Sequence, residues 1–94
     1  MDRNSLIKYL RSKGYEVTNE TGEYIQLIKS LSEIQQITRE VIIKNDDIVY
    51  MADMLKWRDS INIIESRAYK LANLILMTTS DTDAKLCVIN EIEV

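Results

Sequence analysis

The sequence predicts a mainly α-helical domain built on an antiparallel helical hairpin. Three observations point there. The chain has no proline and only two glycines, Gly14 and Gly22, so nothing from Glu23 to Val94 carries the usual punctuation of turns. Apolar residues recur at steps of three and four over two long segments, as one helix face requires. The cluster Lys44-Asn45-Asp46-Asp47 is the one loop-like stretch between those segments.

A short helix over 3–13 comes first. Asp2 or Asn4 can cap it, Leu6, Ile7 and Leu10 form its apolar stripe, and Gly14 supplies the left-handed residue that ends it. Tyr15-Glu16-Val17-Thr18 alternates apolar and polar, which suits a strand over 15–18 before the turn Asn19–Gly22. A helix is expected over about 23–43, with Tyr24, Leu27, Leu31, Ile34, Thr38 and Val41 on its seam. A capping-box pattern at Ser30 and Glu33 allows a later start. The second long helix, about 47–79, carries the longest seam: Tyr50, Met54, Trp57, Ile61, Ile64, Ala68, Leu71, Ile75 and Thr78. Alternation from Leu86 to Val94 predicts a terminal strand over 85–94, forming a small two-stranded element with 15–18.

An α+β alternative reads the same middle differently. Val41-Ile42-Ile43 and Ile48-Val49-Tyr50 are rich in β-branched residues and flank a turn cluster. They would form a β-hairpin around Asn45, with Tyr24–Ile28 as a third strand. The sustained 3,4 pattern favours helix over this reading.

The chain is 94 residues long, which suits one domain spanning 1–94. Hydrophobic residues make up 46% and charged residues 29%, a composition that folds. No apolar run is long enough for a signal peptide or a membrane span, so a cytoplasmic protein is expected. Heavy Ile, Lys and Asn usage suggests an AT-rich source such as a phage or mobile element.

Candidate chemistry is sparse. Histidine is absent, and with it the Ser-His and Cys-His nucleophile systems. Cys87 stands alone, in an apolar run, and reads as a small core residue rather than a nucleophile or zinc ligand. Neither glycine lies in a phosphate-cradling motif. Asp46, Asp47 and Asp53 are close in sequence, yet capping accounts for them better than a divalent metal does. All-helical nucleotide pyrophosphohydrolases carry E-x-x-E pairs. Here Glu33 and Glu40 stand seven apart, and Asp59 and Glu65 six apart, so that resemblance fails. No catalytic residue, cofactor or metal is therefore expected.

The expected function is a non-enzymatic regulator, adaptor or inhibitor that works through protein–protein contacts. The alternative is a nucleic-acid-binding regulator. Residues 1–14 carry Arg3, Lys8, Arg11 and Lys13 against Asp2, and Lys56 and Arg58 flank Trp57, as phosphate and base contacts would. The overall net charge of −3 argues against it. Helix lengths of roughly 30 and 50 Å leave residues 68–79 overhanging. That overhang is apolar on nearly every side, which predicts a homodimer through Tyr69, Leu74, Leu76 and Met77.

Overall fold

The computed structural model describes residues 1–78 and 84–88. It contains one α-helix, α1 (Arg3–Ser12), and seven strands: β1 (Glu16–Glu20), β2 (Tyr24–Ser32), β3 (Ile37–Lys44), β4 (Ile48–Trp57), β5 (Ser60–Lys70), β6 (Leu74–Thr78) and β7 (Ala84–Val88). A 3₁₀ turn, Leu71–Asn73, joins β5 to β6. Strands β1 to β5 form one antiparallel sheet in chain order, and β6 and β7 pair separately. No helix among the described residues is long and apolar enough to cross a membrane, which says nothing of membrane-spanning strands.

The first helix follows its sequence signals. Asp2 Oδ1 accepts the Ser5 N–H at 2.7 Å and caps the N-terminus. At the other end Gly14 has φ +95°, and a side chain there would be strained. The Gly14 N–H donates to the Arg11 carbonyl and the Tyr15 N–H to the Leu10 carbonyl. These two bonds define a Schellman ending, completed by burial of Leu10 and Tyr15 in the same apolar cluster.

The two long helices are not formed; strands stand in their place. Residues 23–43 become β2 and β3, and 47–79 become β4, β5, the 3₁₀ turn and β6. The hairpin around Asn45 is present, with β3 and β4 paired from Ile43↔Val49 to Ile37↔Leu55. The small two-stranded element also differs. β1 pairs with β2, and β7 pairs with β6, so the strand expected over 15–18 and that expected over 85–94 are not partners. Residues 89–94 of the latter lie outside the described residues.

Burial shows the period that decides. Ile25 and Leu27, Val41 and Ile43, and Val49 and Tyr69 are buried, and each is two residues from the next on its strand or opposite a partner in register. That is the period of a sheet with one covered face. The proposed helical seam does not stay together. Leu27 is in the core, Leu31 is exposed, and Ile34 lies in a turn at 98% exposure. In a chain so rich in Ile, a 3,4 series can be threaded through apolar residues that belong to two sheet faces. Chance spacing loses to β-branched side chains that pack well on a pleated surface.

The turns explain why punctuation misled. Three hairpin turns place a non-glycine residue at positive φ: Gln36 at 54°, Asp47 at 62° and Arg58 at 54°. Asp tolerates this conformation well, Gln and Arg less so. At the first position of a two-residue loop closed by the Trp57↔Ser60 pair, Arg58 stands where glycine is usual. The chain turns without the residues that announce turns.

The core lies between one sheet face and its cover. Leu6 and Leu10, one helical turn apart, press onto Ile25, Leu27, Val41, Ile43 and Val49. Leu71 and Leu74 join them, with Leu86 of β7 packed alongside. The helix starts beside the β3–β4 turn, where Arg3 Nη2 donates to the Lys44 carbonyl at 2.9 Å and to Asp47 Oδ1 at 3.2 Å. It ends beside Lys29, whose Cε lies 3.7 Å from where a Gly14 Cβ would stand.

Leu6 is fully buried and Ile64 is mostly exposed. We predict that Leu6→Ala costs about 2–5 kcal/mol in urea unfolding, whereas Ile64→Ala shifts stability by no more than about 0.5 kcal/mol.

Candidate interaction surface

Ten residues of helix span about 15 Å. The ten and eleven residues of β4 and β5 span about 33–36 Å. Because α1 begins at the Asp47 turn and ends at Lys29, which is in register with Arg39, Asp53 and Glu65, about 13–17 Å of β4 and β5 extends beyond it. The β2–β3 turn and the β4–β5 turn lie in that extension. They are joined there by a hydrogen bond from the Lys56 N–H to the Gln36 carbonyl at 3.1 Å.

Apolar side chains stand on both faces of the extension. Ile37 and Leu55 are opposite each other on the helix side, and Thr38 and Met54 are opposite each other on the far side. An open groove of about 690 Å³ runs along the first face between Ile34, Leu55 and Trp57. Another of about 520 Å³ runs along the second, between Ile28, Met54 and Ile61. Besides Ile34, the residues at the β4–β5 end are largely exposed: Trp57 at 64%, Ile61 at 67%, Ile63 at 66% and Ile64 at 56%. Arg58 lies over the Trp57 ring, 5.8 Å from its centroid, and puts a cation beside the apolar tip.

A third opening, of about 270 Å³, lies on the helix side between the core and this extension. Its walls are Arg39, Met51, Asp53, Glu65, Arg67 and Tyr69. Asp53 and Glu65 are directly opposite in register, a repulsive arrangement if left alone. Arg39 answers it by a two-pronged contact with Asp53, Nε to Oδ1 at 2.7 Å and Nη2 to Oδ2 at 3.0 Å. Arg67 pairs with Glu65. The Arg39 guanidinium holds the Asp53 carboxyl below its ordinary range against the opposing effect of burial. Hydrogen bonds to Tyr69 and then Glu65 raise Arg67 above its ordinary value. Each carboxylate has its own cation, so the cavity is electrically closed and serves as the polar boundary of the core.

The residues singled out in the sequence are dispersed. Asp46 accepts the Ile48 N–H, Asp47 pairs with Arg3, and Asp53 pairs with Arg39. Six residues of strand separate Asp47 from Asp53, about 20 Å. Among the described residues no three His, Cys, Asp or Glu side chains gather as metal ligands would. Cys87 is half-buried on β7 opposite Ile75. Arg3 is tied to the β3–β4 turn, and Lys13 lies over the Tyr9 ring. Lys8 and Arg11 are exposed on α1, while Lys56 and Arg58 border the grooves at the hairpin ends, whose walls contain no residue of α1. The two basic groups therefore sit on separate parts of the molecule.

The expected dimer residues also part company. Tyr69 and Leu74 belong to the chain's own core, and Leu76 and Met77 are exposed on β6. The helical overhang that grouped them does not exist. Ile63 was missed, because the helical pattern gave it no seam position, and Ile34 was read as a seam residue of the first long helix although it stands exposed in a turn. The legible signal was the run Ile61-Asn62-Ile63-Ile64 beside Ser60, which alternates and then doubles as a bulged strand does. No protein-family model, curated protein or solved structure matches this chain.

A carboxyl held low by its partner stabilises the fold above the unfolded value, about 3.9 for Asp, and loses that contribution as pH falls through the lower folded value. We predict that Asp53→Asn lowers the midpoint of urea unfolding at neutral pH. The difference from the unsubstituted protein shrinks as the pH is taken well below 4.

Proposed function

We propose that this chain is a non-enzymatic interaction protein, a small cytoplasmic regulator, adaptor or inhibitor. It binds another protein through the extended end of its sheet. The observation that carries this reading is the set of large apolar residues left exposed beyond the reach of α1, with Ile34 and Trp57 lining a groove on one face of the sheet and Ile61 and Ile63 on the other. Soluble proteins rarely leave contiguous large apolar residues in water without a use for them. The arrangement has the parts of a binding hot spot: an aromatic anchor with an arginine beside it, rimmed by Lys56 and Asp59. None of these residues contributes to the buried cluster that holds the fold. Their apolar character is thus free to serve a partner.

The test is affinity capture from host extract, followed by titration of the purified captured protein. The intact chain should retain a partner in stoichiometric amount. Trp57→Ala should weaken the complex roughly thirtyfold, in line with hot-spot losses of about 2 kcal/mol, with the thermal midpoint unchanged. A captured protein indifferent to Trp57→Ala, Ile61→Ser and Ile63→Ser would overturn the reading. A salt-dependent shift of labelled DNA or RNA that survives those substitutions and disappears in Lys8→Glu/Arg11→Glu would replace it with nucleic-acid binding.

A further inference from the structure

The two edges of the five-stranded sheet are built differently. β1 is five residues long, carries Glu16 and Glu20, and has a bulge between Val17 and Asn19. Short length, charge and a bulge are the devices that keep an edge from pairing. β5 is eleven residues long and hydrogen-bonds to β4 alone among the described residues; its register shifts at Ile64, so the stretch from Glu65 to Lys70 is regular. Every side chain from Ser60 to Arg67 is exposed, including three isoleucines, and the strand contains no proline. Its outer row of N–H and C=O groups is a template for another strand.

The sequence of β5 selects which strand. Two copies related by a twofold axis through Ser66 place each residue opposite one equally far on the other side of that serine. Glu65 then faces Arg67 of the second copy, and Arg67 faces Glu65. The ion pair already formed within each strand becomes a ring of four alternating charges. Ile64 falls opposite Ala68. Shifting the axis to Glu65 or Arg67 sets a charge against its own copy. Shifting it to Ile64 sets Arg67 against Ile61. One register is complementary, and its neighbours are not.

We propose that a second copy of this chain adds its β5 antiparallel to β5 about Ser66, joining two five-stranded sheets into one. The proposal rests on the reading of the chain as an interaction protein and names a different occupant for a different surface, the edge rather than the tip. In the joined sheet the uncovered faces of both copies become continuous, and Ile61 and Ile63 of each lie near the seam.

Sedimentation equilibrium from micromolar to near-millimolar concentration tests it, using the full chain and two charge variants. The unsubstituted protein should approach twice the mass of one chain. Arg67→Glu leaves acid opposite acid and should be monomeric, and Glu65→Arg leaves base opposite base and should be monomeric too. Mixed one to one, the variants restore both opposite-charge pairs and should dimerise at least tenfold more tightly than either alone. Recovery in the mixture also shows that each variant is folded. An unsubstituted monomer throughout the range would overturn the proposal. So would dimerisation of either variant at undiminished strength, or a mixture no tighter than its parts. Loss of self-association with partner capture through Trp57 intact would remove the edge pairing alone; loss of capture with the dimer intact would remove the tip reading alone.

Discussion

The fold depends on two leucines one helical turn apart. Leu6 and Leu10 are both buried, and with Ile25, Leu27, Val41, Ile43 and Val49 they close one face of the sheet against water. Burying each leucine is worth about 1.5–3 kcal/mol. The helix that carries them is short, so its own propensity contributes little, and tertiary contact sustains it. Its position is fixed at both ends: Arg3 reaches the Lys44 carbonyl, and the Gly14 ending returns Tyr15 into the core. Residues 71–74 and Leu86 extend the same core. Where this cover ends, the charges of Arg39, Asp53, Glu65 and Arg67 begin.

A length mismatch follows from that arrangement and governs the surface. The sheet is more than twice as long as the helix that covers it. Core burial therefore falls away along β4 and β5, and by Leu55 to Ile64 the strands hold one another by their ladder alone. Apolar residues persist in that stretch although the core no longer needs them. The proposed interaction surface lies at that discrepancy between composition and burial. The paired charges between core and extension act as the divider, neutral in sum and fixed by hydrogen bonds.

The sequence was legible where one residue type has one use. Asp2, the Leu6/Leu10 spacing and Gly14 specify a helix with both its ends, and the structure has that helix. The turn at Lys44–Asp47 was also legible as a break. What it connects was not, because Ile and Val runs suit a buried helix and a strand alike at short length. Turns at Gln36 and Arg58 use residues that do not advertise positive φ, so two hairpins were hidden inside one continuous apolar pattern. The candidate surface suffered the same loss. Trp57 and Ile61 read as seam residues of a helix, whereas the strand turns them out toward solvent. Lys56 and Arg58 stay beside Trp57, since neighbours in sequence stay neighbours in a hairpin.

Native-state hydrogen exchange of the backbone amides tests the central claim most directly, because protection reports local opening free energy along each strand. Protection should fall in a gradient within single strands. Amides of β3 and β4 between Val41 and Met51, under the two leucines, exchange only through global unfolding. Amides of β4 and β5 between Leu55 and Ile63, beyond the helix, exchange through far smaller openings. Equal protection along the whole length of β4 would contradict it, and would mean that the sheet is held as one unit without reference to where its helix ends.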